Sequence, residues 1–457
     1  EDPEVLARVQ ETLTALAEGR PAPTVADTGG GDPIERAEEA YLEGDLEAAR
    51  KFAEKAANGS DEAAEQARGM LRSLDGADVN PRHITVLLPL SGKYEVVGGQ
   101  VRDALLFGYG TAPIELDVVD SGGTAETAVA ALEKAVLEDG AIAVVGALLT
   151  DETDALVEAA EDLHVPLLSL SQSYEDVGVW TFQAMYTRAD QVDALLTYVT
   201  KEQDMDAFAM FSPDNAFGQH AAELFTAGVA KRGAQITTHA TYAPDETSLI
   251  SYAKKLGTRS GSLAELKRKA AEAGGNPDTV VVPPIVDFDA IFLPESANRT
   301  PVAAAALAYE EFPMGDYIPQ GYDHQVRLLG LSTWNTVSLV TQGNEYTRNS
   351  LFPDVFSATV AGDEDPFVTA YRGATSRTPS SLEAAVVDAG KLLAAAARKT
   401  PDQRGAMRQA LVEAKVSDSV TGADAFDPET QHAHRRMRIL TITRDTLEQV
   451  GTVDQIE

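Results

Sequence analysis

The chain has 457 residues, of which 44% are hydrophobic and 24% charged, a composition ordinary for globular proteins and a length that predicts two or three domains. The formal net charge of −35 repels nucleic acid and anionic lipid, which excludes binding to either through a basic patch. The sequence contains no cysteine, which excludes disulfides, thiolate metal sites and cysteine nucleophiles.

The first 82 residues are predicted to form a short helical region. Residues 1–19 carry apolar side chains at helical spacing, and residues 20–33 are rich in Pro, Gly and Thr, as is typical of a linker. Residues 34–75 predict two helices. The sequence shows no signal peptide and no apolar run near the ~20 residues that a helix needs to cross a bilayer. We expect that a targeting segment was removed ahead of Glu1.

Within this region, the stretch from Ala37 to Ala56 is similar to one tetratricopeptide-type unit, with its turn at Gly44 and Asp45. Repeat arrays usually need about three such units for independent stability. A helical hairpin docked on a neighbouring domain is therefore an equal alternative.

From residue 83 onward, apolar strand-like runs alternate with amphipathic helix-like segments. Such alternation predicts a parallel sheet covered by helices on both faces. The first series of strands is expected at 84–90, 114–119, 141–146 and 165–170, and the second at 207–212, 234–242, 288–294 and 326–332. Because the series restarts near residue 206, the sequence predicts two lobes of similar build.

The C-terminal part predicts two long helices, at 380–398 and 402–415, and then two short strands that form an antiparallel pair. This order favours a chain that crosses between the lobes more than once. We expect the lobes to comprise 83–187 with 360–415, and 188–359 with 416–457.

Several short motifs of the chain resemble the type I periplasmic binding proteins, the leucine-binding family. They are LPLSG at 88–92, VVG at 144–146, VPLLSLSQS at 165–173, SPDNAFG at 212–218 and VTGADAFDPET at 420–430. The resemblance covers about residues 83–451. It implies an α/β fold with two lobes, each a mostly parallel sheet covered by helices, and a ligand crevice between them.

Two further stretches, at 288–311 and 328–335, resemble the penicillin-binding protein activator family, called LpoA or LppC. Members of that family also carry a tetratricopeptide-like N-terminal region. This resemblance implies an outer-membrane lipoprotein in the periplasm, anchored by an N-terminal lipid, that regulates peptidoglycan synthesis by contacting a peptidoglycan synthase.

The sequence offers no supported catalytic or metal site, and no cofactor is expected. His432 and His434 would share one face of a strand, but no third ligand is adjacent and two arginines follow. The acidic run from Asp363 to Asp365 precedes a proline, which is typical of a helix N-terminus rather than of a calcium loop. Since phosphate-loop and nucleophile-elbow motifs are also missing, we expect a protein that is not an enzyme.

The interlobe crevice is the predicted ligand site, because ligands of open α/β sheets bind beyond the carboxyl ends of the strands. By the resemblance, Thr150 takes the place of a hydroxyl residue that holds a ligand carboxylate, and Phe217 that of a stacking tyrosine. The candidate crevice residues are Ser91, Thr150, Ser171, Ser173, Phe217, Glu295 and Trp334. Alternatively, Thr150 caps the helix at 151–163 and Ser173 caps a turn.

Two functions remain open at this point. The first is a non-enzymatic cell-envelope regulator that binds a partner protein such as a peptidoglycan synthase. The alternative is a solute-binding protein of an ABC transporter, which holds an amino acid or a related small molecule in the crevice. The helix beginning Thr150-Asp151-Glu152 carries its own carboxylates. We therefore expect poor binding of a ligand carboxylate there.

Overall fold

The computed structural model describes residues 32–454, except 147, 173–177, 260–261, 281, 283, 320–321, 323–324 and 344. The helix predicted at 1–19, almost all of the linker predicted at 20–33, and Ser173 lie outside these residues. Within the described part of the chain, every helix is too short or too polar to span a membrane.

Three helices form the N-terminal region. They are α1 (Pro33–Glu43), α2 (Leu46–Ala56) and α3 (Glu62–Asp75). Gly44 ends α1 in the left-handed conformation, with a φ of 82°, and the Asp45 carboxylate accepts the Ala48 N–H to cap α2. The predicted turn is thus confirmed. The prediction of two helices was wrong, because Asp61 caps a third helix in the same way.

These helices are fixed to the first lobe by buried polar and aromatic contacts. The Arg404 side chain is buried and donates to Ser73 Oγ at 2.6 Å, to the Val136 carbonyl at 2.9 Å and to the Ala141 carbonyl at 3.0 Å. Arg404 therefore joins α3 to the sheet beneath it.

A cluster of aromatic rings forms the second contact between the N-terminal helices and the first lobe. The rings of Tyr41, His164 and Trp180 lie 5.4 to 5.5 Å apart, centre to centre. Burial lowers the pKa of His164 to about 4, so this imidazole is neutral at physiological pH. The cluster buries a neutral aromatic surface between α1 and the first lobe.

The first lobe is built on a five-stranded, all-parallel sheet with strand order β2-β1-β3-β4-β5. Its strands are β1 (Asn80–Leu88), β2 (Glu115–Asp120), β3 (Ala141–Gly146), β4 (Leu167–Ser169) and β5 (Thr181–Gln183). Its helices are α4 (Glu95–Tyr109), α5 (Ala125–Leu137) and α6 (Thr150–Asp162). Separate hydrophobic cores cover the two faces of the sheet, as the apolar strand sequences predict.

The second lobe is built on a seven-stranded sheet with order β12-β11-β10-β9-β8-β6-β7. Strands β6 to β10 are parallel, whereas β11 runs antiparallel to both β10 and β12. The strands are β6 (Ala207–Pro213), β7 (Gln235–Tyr242), β8 (Ala290–Phe292), β9 (Arg327–Leu329), β10 (Leu351–Asp354), β11 (Arg436–Ile442) and β12 (Leu447–Asp454). The helices are α7 (Arg188–Lys201), α8 (Ala216–Lys231), α9 (Ile250–Ala253), α10 (Leu263–Glu272), α11 (Thr300–Tyr309) and α12 (Val337–Gln342).

The remaining helices carry the chain back to the first lobe. They are α13 (Ala358–Ala361), α14 (Pro366–Thr375), α15 (Ser381–Ala397) and α16 (Arg404–Val412). Helix α15 packs closely on α4, because Gly390 lets the two backbones approach. A Cβ atom at Gly390 would lie only 2.6 Å from the Leu105 carbonyl oxygen.

The chain therefore crosses between the lobes after β5, after β10 and before β11. The segment at 416–435 was expected in the second lobe. Instead, Val420, Ala423 and Phe426 join the hydrophobic core of the first lobe. This segment is held there because the buried Asp388 carboxylate of α15 accepts hydrogen bonds from the backbone N–H groups of Val420 and Thr421. The packing thus supports a boundary near residue 435.

Candidate ligand crevice

A pocket of ≈ 360 Å³ lies where strands β6 to β9 of the second sheet end. This edge is where open parallel sheets bind their ligands. Two of the candidate residues, Phe217 and Glu295, contribute to its wall. The complete lining is Pro213, Asn215, Phe217, Pro244, Glu295, Ser296, Arg299 and Thr333.

Glu295 is the central acidic group of this pocket, and it is only 6% exposed. One carboxylate oxygen accepts the Tyr242 hydroxyl at 2.8 Å, and the other accepts the Ser296 N–H at 2.8 Å. Burial and the nearby carboxylate raise the pKa of Tyr242, so this tyrosine stays a hydroxyl donor. Glu295 is thus held in one orientation by the strand beside it and by its own loop.

Trp334 lies beneath the pocket rather than in its wall. The side chain is fully buried, its ring packs against Phe352, and its indole N–H donates to the Glu295 carbonyl at 3.0 Å. The Thr333 hydroxyl donates to the same carbonyl at 2.9 Å. Trp334 therefore positions the Glu295 loop and does not line the pocket.

Arg299 stands beside Glu295 and was missed as a site residue. Its Nε lies 3.6 Å from a Glu295 carboxylate oxygen, and a terminal nitrogen donates to the Glu246 carbonyl at 3.0 Å. The Nε atom is buried without a hydrogen-bond partner among the described residues. A carboxylate and a guanidinium therefore lie side by side in the wall of the pocket. Both residues lie in the loop between β8 and α11, and their spacing of four residues is the sequence signal that could have identified this pair.

Phe217 lies in the first turn of α8, which begins at an Asn215 side chain that accepts the Gly218 N–H at 2.8 Å. The guanidinium of Arg188, the first residue after the first crossing, lies 4.8 Å above the Phe217 ring. The aromatic wall of the pocket is therefore in contact with the segment that joins the two lobes.

The candidates of the first lobe lie at the carboxyl ends of its strands. Ser91 follows β1, and its hydroxyl bonds to Asp120 and lowers the pKa of that carboxyl. Thr150 is exposed and opens α6. Ser171 is buried, and its carbonyl accepts the Gln183 side-chain amide at 2.6 Å.

The alternative role of Thr150 as a helix cap is wrong. Helix α6 begins at Thr150 itself, and Leu149 takes the cap position without a side-chain bond. The buried Glu152 carboxylate accepts the Ser121 hydroxyl at 2.8 Å and also the Leu149 N–H, while burial raises its pKa. The helix therefore uses its own carboxylate at this donor, and Asp120 is a second acid near Glu152.

Comparison with known proteins agrees with this architecture. A family model described as periplasmic binding protein matches residues 81–259. No curated protein matches the chain in sequence. Among solved structures, an ABC transporter substrate-binding protein from Sphaerobacter thermophilus is similar over 83% of this chain and 99% of its own, with 18% identity and a TM-score of 0.63.

Two ligand-bound structures show the same likeness. A branched-chain amino acid transporter substrate-binding protein from Streptococcus pneumoniae, in complex with isoleucine, is 20% identical with a TM-score of 0.57, over 83% of this chain and 100% of its own. A solute-binding protein from Rhodopseudomonas palustris, in complex with 3,4-dihydroxybenzoic acid, is 15% identical with a TM-score of 0.58. The likeness covers 82% of this chain and 98% of its own. The chain has the two-lobed type I periplasmic-binding-protein fold, as predicted. The resemblance to the penicillin-binding protein activators stays a prediction.

Proposed function

We propose that the protein is a non-enzymatic solute-binding protein of the periplasm, which holds a small polar molecule in the crevice between its lobes. The pocket with the fixed Glu295 carboxylate and the adjacent Arg299 carries this proposal. Similar structures hold isoleucine and 3,4-dihydroxybenzoic acid, which supports a small-molecule ligand. Delivery to an ABC transporter is the corresponding cellular role.

The charge of the crevice argues for a neutral or cationic ligand. Asp120 ends β2 at the carboxyl edge of the first sheet and Glu152 lies in the first turn of α6, whereas Glu295 lines the pocket of the second lobe. A ligand carboxylate at the start of α6 would meet like charges where the helix donor is already used by Glu152. At 4 Å and an effective dielectric constant of about 20, one such contact costs about 4 kcal/mol before solvent and salt reduce it.

A thermal-shift screen of amines, sugars, amino acids and aromatic acids, followed by calorimetry, tests this function. Glu295→Gln should weaken binding of the best ligand by roughly tenfold or more, because a charge-assisted bond is lost. Glu138→Gln, which changes an exposed carboxylate at the end of α5, is the matched control and should bind normally. Equal affinity of the Glu295→Gln variant would refute the site.

The same calorimetry tests the ligand charge. Leucine and similar amino acids should bind with affinities weaker than micromolar. A micromolar dissociation constant for leucine, abolished by Thr150→Ala, would overturn the argument from charge.

A second function is supported by the N-terminal helices. Helices α1 to α3 precede the matched segment that starts at residue 81, and Arg404 and the Tyr41 cluster fix them to the first lobe. An N-terminal helical region that is fixed to the first lobe in this way is suited to contact with a partner protein, such as a peptidoglycan synthase. A purified peptidoglycan synthase should be retained by the immobilised chain and not by an unrelated protein of equal negative charge. Equal retention by both would count against the regulator.

A further inference from the structure

A single turn of 3₁₀-helix, Ser332–Trp334, holds the loop that carries Glu295. We call it the Trp334 turn; it follows strand β9. The Trp334 indole N–H and the Thr333 hydroxyl both donate to the Glu295 carbonyl, at 3.0 and 2.9 Å. The position of the Glu295 carboxylate in the crevice pocket therefore depends on the position of this turn.

The end of the Trp334 turn is clamped by Asn335. The side-chain amide of Asn335 donates to a carboxylate oxygen of Asp354 at 2.7 Å and to the Phe356 carbonyl at 2.6 Å. Asp354 is the last residue of β10, and Phe356 lies two residues further along the second crossing. Asn335 thus ties the turn to the junction between the lobes.

The Trp334 turn has little freedom to move apart from Asn335. The Asn335 N–H donates to the Ser332 carbonyl at 3.0 Å, and the Trp334 side chain is fully buried. The indole ring lies so close to the backbone of Gly330 that a Cβ atom there would be 2.2 Å from it. A displacement of Asn335 is therefore passed through Trp334 to the Glu295 loop.

Asp354 is fully buried where the two lobes meet. One of its oxygens accepts the Asn335 amide, and the other accepts the Val355 N–H at 2.7 Å. It also bonds to the hydroxyl of Tyr186 in the first crossing and to that of Ser381 on α15. The carboxyl group thus joins the Trp334 turn of the second lobe to a helix of the first.

Arg438 and Tyr186 face Asp354 from β11 and from the first crossing. Arg438 lies opposite Asp354 in the strand register, and its charge, which Asp365 also faces, favours the carboxylate form. Burial and the charge of Asp354 raise the pKa of Tyr186, which stays a hydroxyl although Arg435 is near. Burial outweighs the groups that favour the carboxylate and raises the pKa of Asp354 to about 7.

The two protonation states of Asp354 hold the Trp334 turn differently. As a carboxylate, Asp354 accepts the Asn335 amide in a charge-assisted hydrogen bond, which is roughly twice as strong as a neutral one. With a proton bound, the carboxyl is a weaker acceptor, and its O–H needs an acceptor such as the hydroxyl of Tyr186 or Ser381. The Asn335 clamp is therefore tight above pH 7 and looser below it.

We propose that Asp354 is a positioning residue whose protonation state sets the geometry of the Glu295 pocket, through Asn335 and the Trp334 turn. This inference rests on the proposed function, because it concerns the regulation of the same pocket. A ligand that needs the ordered Glu295 loop favours the carboxylate form of Asp354, so its binding releases a proton.

The two tryptophans of the chain report this coupling without any ligand. In the full chain with isotope-labelled tryptophan, nuclear magnetic resonance should show one indole N–H signal from Trp334 and one from Trp180, assigned by Trp180→Phe. The Trp334 signal should move with a midpoint near pH 7, because its hydrogen bond to the Glu295 carbonyl changes. Trp180, in the aromatic cluster beside α1, is the internal control and should lack this midpoint.

Asp354→Asn should abolish the midpoint at Trp334. Asn335→Ala, which keeps the carboxyl but removes the clamp, should abolish it too. Asp445→Asn, which changes an exposed carboxylate, should retain it. A Trp334 signal that stays fixed in the wild type, or a midpoint that survives either Asp354→Asn or Asn335→Ala, would overturn the coupling. Failure of the crevice to bind any small molecule would refute the proposed function and leave this titration unchanged.

Discussion

Asp354 should make the stability of the protein depend on pH near neutrality. This residue ends β10 at the second crossing and is fully buried. Its carboxylate accepts the Asn335 amide and the Val355 N–H, both at 2.7 Å. Burial raises its pKa from 3.8 to about 7 even though these bonds act in the opposite direction.

The sign follows from proton binding. In the unfolded chain this carboxyl loses its proton near pH 3.8, whereas in the folded chain it keeps the proton until about pH 7. Below pH 3.8 the carboxyl is protonated in both the folded and the unfolded chain, so it does not lower the free energy of unfolding. As the pH rises toward 7, this free-energy penalty grows. Above pH 7 the penalty is complete, at about 4 kcal/mol.

Urea unfolding of the wild type and of Asp354→Asn at pH 5 and pH 8 measures this effect. The neutral amide cannot ionise, so the wild type should lose about 3 kcal/mol more stability than the variant over this interval. Asp445→Asn, which changes an exposed carboxylate in the turn after β11, is the control and should behave like the wild type. Parallel pH curves for the wild type and Asp354→Asn would refute the reasoning.

Three other predictions concern stability. Arg404→Met should lower the free energy of unfolding by about 3 kcal/mol, because three buried acceptors lose a charged donor. It should also alter the fluorescence of Trp180. An unchanged unfolding midpoint would contradict this prediction. Gly390→Ala should cost about 1–3 kcal/mol through overpacking, whereas Gly373→Ala in α14, which has open space for a Cβ, should be neutral or stabilising; equal effects would exclude steric contact as the cause. Raising the KCl concentration from about 0.05 M to 1 M should raise the melting temperature, because salt screens the repulsion of a chain with net charge −35; a fall would be contrary to this argument.

The sheets could be predicted because their strands are buried on both faces. The sequence AIAVVG of β3 is entirely buried, and such a continuous apolar run is typical of a central parallel strand. The short strands β5 and β10 were missed. Each has only three or four residues, and β10 contains Pro353, which lacks an N–H for the ladder and weakens any strand prediction.

The candidate site was predictable only in part, because the sequence does not report side-chain direction. Phe217 and Glu295 were named from a motif likeness, and they do share one pocket. Trp334 was named on the same grounds, yet it points into the core. Arg299 lies four residues after Glu295, but only the burial of its Nε distinguishes it from an ordinary surface arginine.

The three crossings are joined by one buried polar network, and this limits how the lobes can move. Tyr186 of the first crossing bonds to Asp354 of the second and to Ser381 of α15. Arg435 of the third crossing donates to the Ala184 carbonyl of the first. Breaking these bonds would leave buried polar groups unpaired, at about 1–3 kcal/mol each. The crevice should therefore open and close by small backbone rotations around an intact network, and a change in the charge of Asp354 should alter that equilibrium without any contact with the ligand.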